Sequence, residues 1–191
     1  MTYDTLVKLR KFKFMELTKN SFSKKLISWY DKEAQNHLWR KLWQEKKDPY
    51  PVLVSEIMLQ QTTIKVVSPS FSNFMKVFPT CEALSLASDE ELRKQVAGLG
   101  YYRRFRRLKE AAQIVIKGSV DSKSPAWPRS YKEWIKLPGV GEYTASALAS
   151  ITLEEVRPLI DGNVERVFCR LFNWKVVPNL LKVKKKIFFE S

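Results

Sequence analysis

From residue 21 to residue 174 the apolar side chains recur at helical spacing almost without a break, and alternation over strand length is nearly absent. Phe105, Leu108, Ala112 and Val115 mark one face of a helix expected from about Tyr101 to Lys117. Val54, Ile57, Met58, Ile64 and Val67 form a second stripe, on a helix expected to end near Pro69, where the backbone loses a donor. Further helices are expected at 23–36, 82–86, 88–97, 130–136, 142–153 and 162–173. Such patterning predicts an all-α domain with short connections and no internal repeat.

Charge narrows the partners. The 191 residues carry 34 Lys and Arg against 20 Asp and Glu, a net charge of +14, and the segments 1–20 and 175–191 supply half of that excess. The former reads as a basic N-terminal extension and the latter as a basic, divergent tail. Runs such as Lys184-Lys185-Lys186 are commonly solvated ends. The remaining positive charge on 21–174 suits a polyanion, although charge alone does not separate nucleic acid from a membrane surface or an acidic protein.

Several classes are excluded. The longest uncharged stretch, Tyr143 to Leu153, is eleven residues, against roughly 18 for a membrane span. The first twenty residues have no continuous apolar core, so no secretion signal is expected and the location is read as cytoplasmic. Cys81 and Cys169 lack the spacing of a metal or redox pair, and His37 is the sole histidine, so no metal site is expected. Any chemistry falls to carboxylates, Lys, Tyr, Ser or Cys.

Two glycine turns stand out. In Leu137-Pro138-Gly139-Val140-Gly141, Pro138 stops one helix and the next begins just after Gly141. The two glycines permit positive φ and leave N–H groups bare at the positive end of a helix dipole, a turn able to grip phosphate or simply to join two helices. A dinucleotide fingerprint is rejected, because Thr144 stands where its third glycine belongs and no strand precedes the turn. The second turn, Gly98-Leu99-Gly100-Tyr101-Tyr102, runs into Arg103, Arg104, Arg106 and Arg107. Arginines suit phosphate, and an aromatic tip can wedge between bases, although a solvated helix face would have the same composition.

Two acids have ordinary readings as well as chemical ones. Glu56 sits among apolar neighbours in Val54-Ser55-Glu56-Ile57-Met58-Leu59-Gln60-Gln61-Thr62, with Gln60 four positions on and on its face. By default it is a surface acid. Asp161, before Gly162-Asn163-Val164, would by default be a helix N-cap.

Taken in order, Trp29-Tyr30-Asp31, Asp48-Pro49-Tyr50, Ser55 to Thr62, Gly98 to Tyr102, Leu137 to Gly141 with Tyr143-Thr144-Ala145, and Asp161-Gly162-Asn163-Val164 strongly resemble the adenine DNA glycosylases of the MutY family, within the helix-hairpin-helix glycosylase superfamily. The resemblance covers about Ser21 to Trp174, taken as the glycosylase domain. It implies the helix-hairpin-helix fold and hydrolysis of the N-glycosidic bond of adenine mispaired with 8-oxoguanine or guanine. Glu56 would protonate the flipped adenine at N7, and general acid catalysis of this kind contributes about 10² to 10⁴ in rate. Holding that proton near neutral pH requires an apolar pocket, which Ile57, Met58 and Leu59 can supply. Asp161 would stabilise the oxocarbenium-like sugar, much as the second acid of a glycosidase answers the cation. Asn163 would orient the site, and Tyr143 would hydrogen-bond a catalytic carboxylate.

Tyr143 occupies the place where endonuclease III-like enzymes carry a Schiff-base lysine, so a monofunctional glycosylase is implied. Gln61 and Tyr101 match residues inserted into the duplex. With them Gln60, Thr62, Gly100, Arg103, Leu137, Gly139, Val140 and Gly141 form the implied interface with double-stranded DNA. A monomer on nucleoid DNA, with no membrane partner, is expected.

The chain departs from the pattern in three places. His37-Leu38-Trp39-Arg40 replaces the family's Leu-Pro-Trp-Arg, and the motifs fade after Trp174. The family's four-cysteine iron–sulfur module and its 8-oxoguanine-recognition domain have no counterpart, so no cofactor is expected here and the fold is read as truncated at its C-terminus. A DNA-binding remnant without activity, or an endonuclease III-like lyase, are the alternatives.

Overall fold

The computed structural model describes residues 21, 23–34, 36–119, 124–157 and 159–171. The basic segments 1–20 and 175–191, and the ends of the resemblance at Phe172 and Trp174, lie outside the described residues. By contacts the chain divides into two units, 1–37 and 38–191. Helix α1 (residues 23–33) belongs to the first, is exposed along its length, and closes where the Ala34 N–H reaches the Tyr30 carbonyl at 2.8 Å.

The second unit is helical, and its described residues contain no strand. Helices α2 (Leu38–Lys46), α3 (Pro49–Leu59), α4 (Ile64–Val77), α5 (Cys81–Leu86), α6 (Asp89–Gln95), α7 (Arg103–Lys117), α8 (Tyr131–Trp134), α9 (Glu142–Leu153) and α10 (Gly162–Leu171) follow in order. Helix α3 is the hub, packed against α2, α4, α7 and α9. Its sequence explains this. Asp48 caps it by accepting from the Tyr50 N–H at 3.0 Å, prolines fill the first turn where donors are dispensable, and Tyr50 through Ser55 with Ile57 and Met58 are all buried. A helix apolar on every side belongs in the middle of a core.

The stripe from Val54 to Val67 is two helices rather than one. The chain breaks between Leu59 and Ile64, and Pro69 lies inside α4 instead of ending it. Pro69 and the carbonyl partner it forgoes, on Lys65, both sit on exposed positions where water serves the carbonyl. The opposite face buries Val67, Phe71 and Phe74, which holds the helix through the proline. Helix α2 has no counterpart in the sequence reading, because only Trp39 of its nine residues is buried and its charged face masks the period. The remaining helices fall within a few residues of expectation. Ser88 and Glu91 form a full capping box on α6, and Thr80 caps α5.

Candidate active site

Glu56 points from the buried helix α3 yet is itself only half-buried, so it is not a surface acid. Burial pushes its carboxyl from 4.5 up to about 7, against an opposing pull from the Arg40 guanidinium. Tyr143, in the first turn of α9, is 45% exposed at the mouth of the same region. Its phenol is raised mainly by burial, and then by the charges of Glu56 and of Asp161. Residues 56 and 161 therefore each lie within electrostatic reach of Tyr143. Among the described residues Tyr143 makes no hydrogen bond to either carboxylate; it senses both through the field alone.

Asp161 does cap α10, as its ordinary reading predicts. Its Oδ1 accepts from the Asn163 N–H at 3.0 Å and the Val164 N–H at 2.8 Å, and its Oδ2 accepts from the Asn163 Nδ2 at 3.1 Å. Arg166 donates in turn to the Asn163 Oδ1, which fixes which end of that amide faces the carboxylate. The cap and the reach to Tyr143 are compatible: the bonds that cap α10 also orient the carboxylate.

The hairpin turn lies against this group. Gly139 has φ +80°, and a Cβ there would stand 3.0 Å from the Cβ of Arg107, so glycine is required both by conformation and by the close approach of α7. Gly141, by contrast, is ordinary extended backbone (φ −88°, ψ −179°) with open space where a Cβ would go. It ends as a bare N-cap on α9, with no side chain covering the first N–H groups. The Val140 N–H closes the turn onto the Leu137 carbonyl at 3.1 Å. The Leu137 and Val140 side chains are buried in the main core, so only their backbone is left to meet a ligand.

Gln60 joins the two parts. Its Nε2 donates to the Gly139 carbonyl at 3.2 Å and to the Thr144 Oγ1 at 3.3 Å. Two further expected contact residues, Gln61 (φ 59°) and Tyr101 (φ 47°), are exposed and hold left-handed backbone that bulky residues seldom adopt. Thr62 is half-buried, whereas Gly100 and Arg103 are exposed. Sequence reasoning gave no site role to Thr144 and Arg40, and it grouped Arg104 with Arg103, Arg106 and Arg107 as suited to phosphate, which its burial corrects. Arg104 is buried, sharing a face with Leu108, Ala111 and Val115, and that helical spacing was the available signal.

The residues present do not fit the iron–sulfur cluster that the resemblance brings with it. A cluster takes four thiolates, while the chain has two cysteines. Cys81 lies buried beneath α7, its Sγ 3.8 Å from the Ala112 carbonyl, with its thiol pushed up to about 12 by burial and by Asp48. No group of three or more His, Cys, Asp or Glu suited to a metal occurs among the described residues. None of the described helices is long and apolar enough to cross a membrane.

A hub helix carrying a half-buried acid, a glycine hairpin against it and a capped aspartate within reach of the hairpin's Tyr143 are features of a base-excision fold. Residues 54–188 match the HhH-GPD superfamily of base excision DNA repair proteins, and this chain belongs to that superfamily. The match continues beyond the point, near Trp174, where recognisable motifs end. The adenine DNA glycosylase of Rattus norvegicus is 41% identical over 155 residues, 79% of this chain and 30% of the relative. That of Buchnera aphidicola subsp. Acyrthosiphon pisum (strain APS) is 37% identical over 169 residues, 88% of this chain and 45% of the relative. The chain thus spans less than half the length of these relatives. Among solved structures, a thermostable thymine-DNA glycosylase superposes with a TM-score of 0.69 at 26% identity, covering 80% of this chain and 67% of the other. A non-covalent endonuclease III–DNA complex shares the fold, with a TM-score of 0.65 at 21% identity over 88% and 77% of the two chains.

Proposed function

We propose that this chain is the catalytic part of an adenine DNA glycosylase, acting as a monomer on double-stranded DNA of the cytoplasmic nucleoid and excising adenine opposite 8-oxoguanine or guanine. The observation that carries the reading is the convergence of Glu56, with its carboxyl pushed up to about 7, and Asp161 on Tyr143.

In the proposed reaction the duplex is engaged by the bare N-terminus of α9 at Gly141 and by the backbone of Leu137 to Val140, with Arg103 on phosphate. Gln61 and Tyr101 enter the base stack, offsetting the few kcal/mol lost when adenine leaves it. Glu56, protonated near neutral pH, delivers its proton to N7 of the extruded adenine. The C1′–N9 bond breaks, its electron pair leaves with the base, and the sugar becomes oxocarbenium-like. The Asp161 carboxylate, held in place by Asn163, stabilises that cation. Water adds at C1′ and its proton returns to Glu56, which leaves an abasic site. No step draws on a cofactor. With tyrosine at position 143, the hairpin offers no amine there for a Schiff base, which supports hydrolysis without strand cleavage.

The reading is tested by incubating the chain with a duplex containing adenine opposite 8-oxoguanine or guanine, then treating with alkali. The expected outcome is a break only at the adenine and only after alkali. Binding without any adenine-dependent break under single-turnover conditions would instead make the chain a DNA-binding remnant, and a borohydride-trapped adduct would make it a lyase.

A further inference from the structure

Arg104 has no place in the chemistry above, and its surroundings are unusual. It is buried in the first turn of α7, 7% exposed, and its Nε and Nη1 have no hydrogen-bond partner among the described residues. Burying a guanidinium with donors unspent is costly, and an apolar residue on the same helical face would avoid that cost. In return the guanidinium lies over the Phe105 ring, its carbon 4.8 Å from the ring centroid, and its hydrogen bonds are concentrated in one atom. Nη2 donates to the Thr62 Oγ1 at 2.8 Å and to the Leu99 carbonyl at 2.9 Å. Thr62 passes the link on, its hydroxyl lying 3.5 Å from the Gln60 carbonyl. The Arg104 N–H meanwhile holds the Tyr101 carbonyl at 3.0 Å.

One side chain therefore fastens two loops from distant parts of the chain. One loop is Gln60 to Thr62, with Gln61 at φ 59°; the other is Gly98 to Tyr101, with positive φ at Gly98, Gly100 and Tyr101. Each loop ends in a large exposed side chain on strained backbone. Strained residues of this kind persist only where their surroundings fix them, and the guanidinium bonds are the polar bonds that join the two loops directly.

We propose that Arg104 is a positioning residue that sets the separation of Gln61 and Tyr101, so that the two tips meet a duplex as one prebuilt wedge. This rests on the reading of those residues as duplex-inserting, but the link itself is a property of the free protein. A prebuilt wedge loses less entropy on binding than two independent loops would, and it directs both insertions at neighbouring positions.

The test uses the full chain with spin labels at Gln61→Cys and Tyr101→Cys, in a Cys169→Ser background; Cys81 is buried and stays. The expected result is one narrow distance distribution without DNA, which broadens in Arg104→Met and also in Thr62→Val, the milder variant that removes the cross-loop acceptor together with its long bond to the Gln60 carbonyl. In unlabelled protein the same variants should bind a duplex with a stable abasic site about tenfold more weakly. Gln61→Ala and Tyr101→Ala should be non-additive in the parent and additive in Arg104→Met. An equally narrow distribution in the parent and in a folded Thr62→Val or Arg104→Met protein overturns the proposal, whatever the substrate. A distribution that depends on Arg104 in a chain that never releases adenine upholds the link and rejects the adenine reading instead.

Discussion

The side-chain amide of Gln60 donates to the Gly139 carbonyl at 3.2 Å, bridging 79 positions of sequence. It ties the end of the helix that carries Glu56 to the turn that precedes Tyr143. Since the same nitrogen also reaches the buried Thr144 hydroxyl, a change there loosens the placement of the acid relative to the hairpin. Gln60→Met, similar in shape, leaves both acceptors unpaired and is expected to cost about 1–3 kcal/mol of stability. The single-turnover rate should fall about tenfold. Urea denaturation and adenine release at saturating enzyme measure the two effects.

Gly139→Ala and Gly98→Ala separate conformation from crowding. Both glycines have positive φ, but a Cβ at 98 meets nothing within 4 Å whereas one at 139 presses on Arg107. Gly98→Ala is expected to lose about 1–2 kcal/mol, from left-handed backbone alone. Gly139→Ala should lose distinctly more in the same denaturation experiment. Gly141→Ala, on extended backbone in open space, should lose at most about 1 kcal/mol, the cost of alanine at an N-cap.

Asp161→Asn separates capping from charge. Asparagine caps a helix about as well as aspartate, so the folding free energy should change by less than about 1 kcal/mol. The negative charge beside the sugar is lost, and the excision rate should drop by about 10²-fold or more with duplex affinity retained. Equal cleavage by the variant would mean that Asp161 is a cap and nothing else.

Glu56 makes stability depend on pH in a direction opposite to that of a salt-bridged acid. Its carboxyl moves from 4.5 to about 7 on folding, so the folded state binds this proton more tightly than the unfolded chain does. The contribution is fully favourable below pH 4.5 and is lost as pH rises to about 7, amounting to about 3 kcal/mol. Glu56→Gln removes the dependence. The variant should be more stable than the parent at pH 8 and no more stable at pH 4, as read from denaturation midpoints at the two values.

Much of this was legible because its signals are local. The face of α7 reads directly from Phe105, Leu108, Ala112 and Val115, all of which are buried, and the motif around Glu56 marks its helix as a site. What escaped depends on tertiary context. The break between α3 and α4 is hidden because both helices present apolar residues to one core, so their stripes join across Gln60 to Thr63. Pro69 misleads because exposure lets water serve the carbonyl it leaves free. Arg104 is hidden among four arginines of one composition, of which it alone is buried. Gly139 and Gly141 look alike in sequence, yet only the first faces a neighbouring helix closely enough to exclude a side chain.

In the proposed reaction a protonated Glu56, aided by the Asp161 carboxylate, expels the base, and the decisive measurement is the pH profile of the single-turnover rate on a duplex with adenine opposite 8-oxoguanine. The rate should be level below pH 7 and fall tenfold per unit above it, with Glu56→Gln inactive throughout. A rate that stays level through pH 9, or a Glu56→Gln protein that still releases adenine, would contradict it.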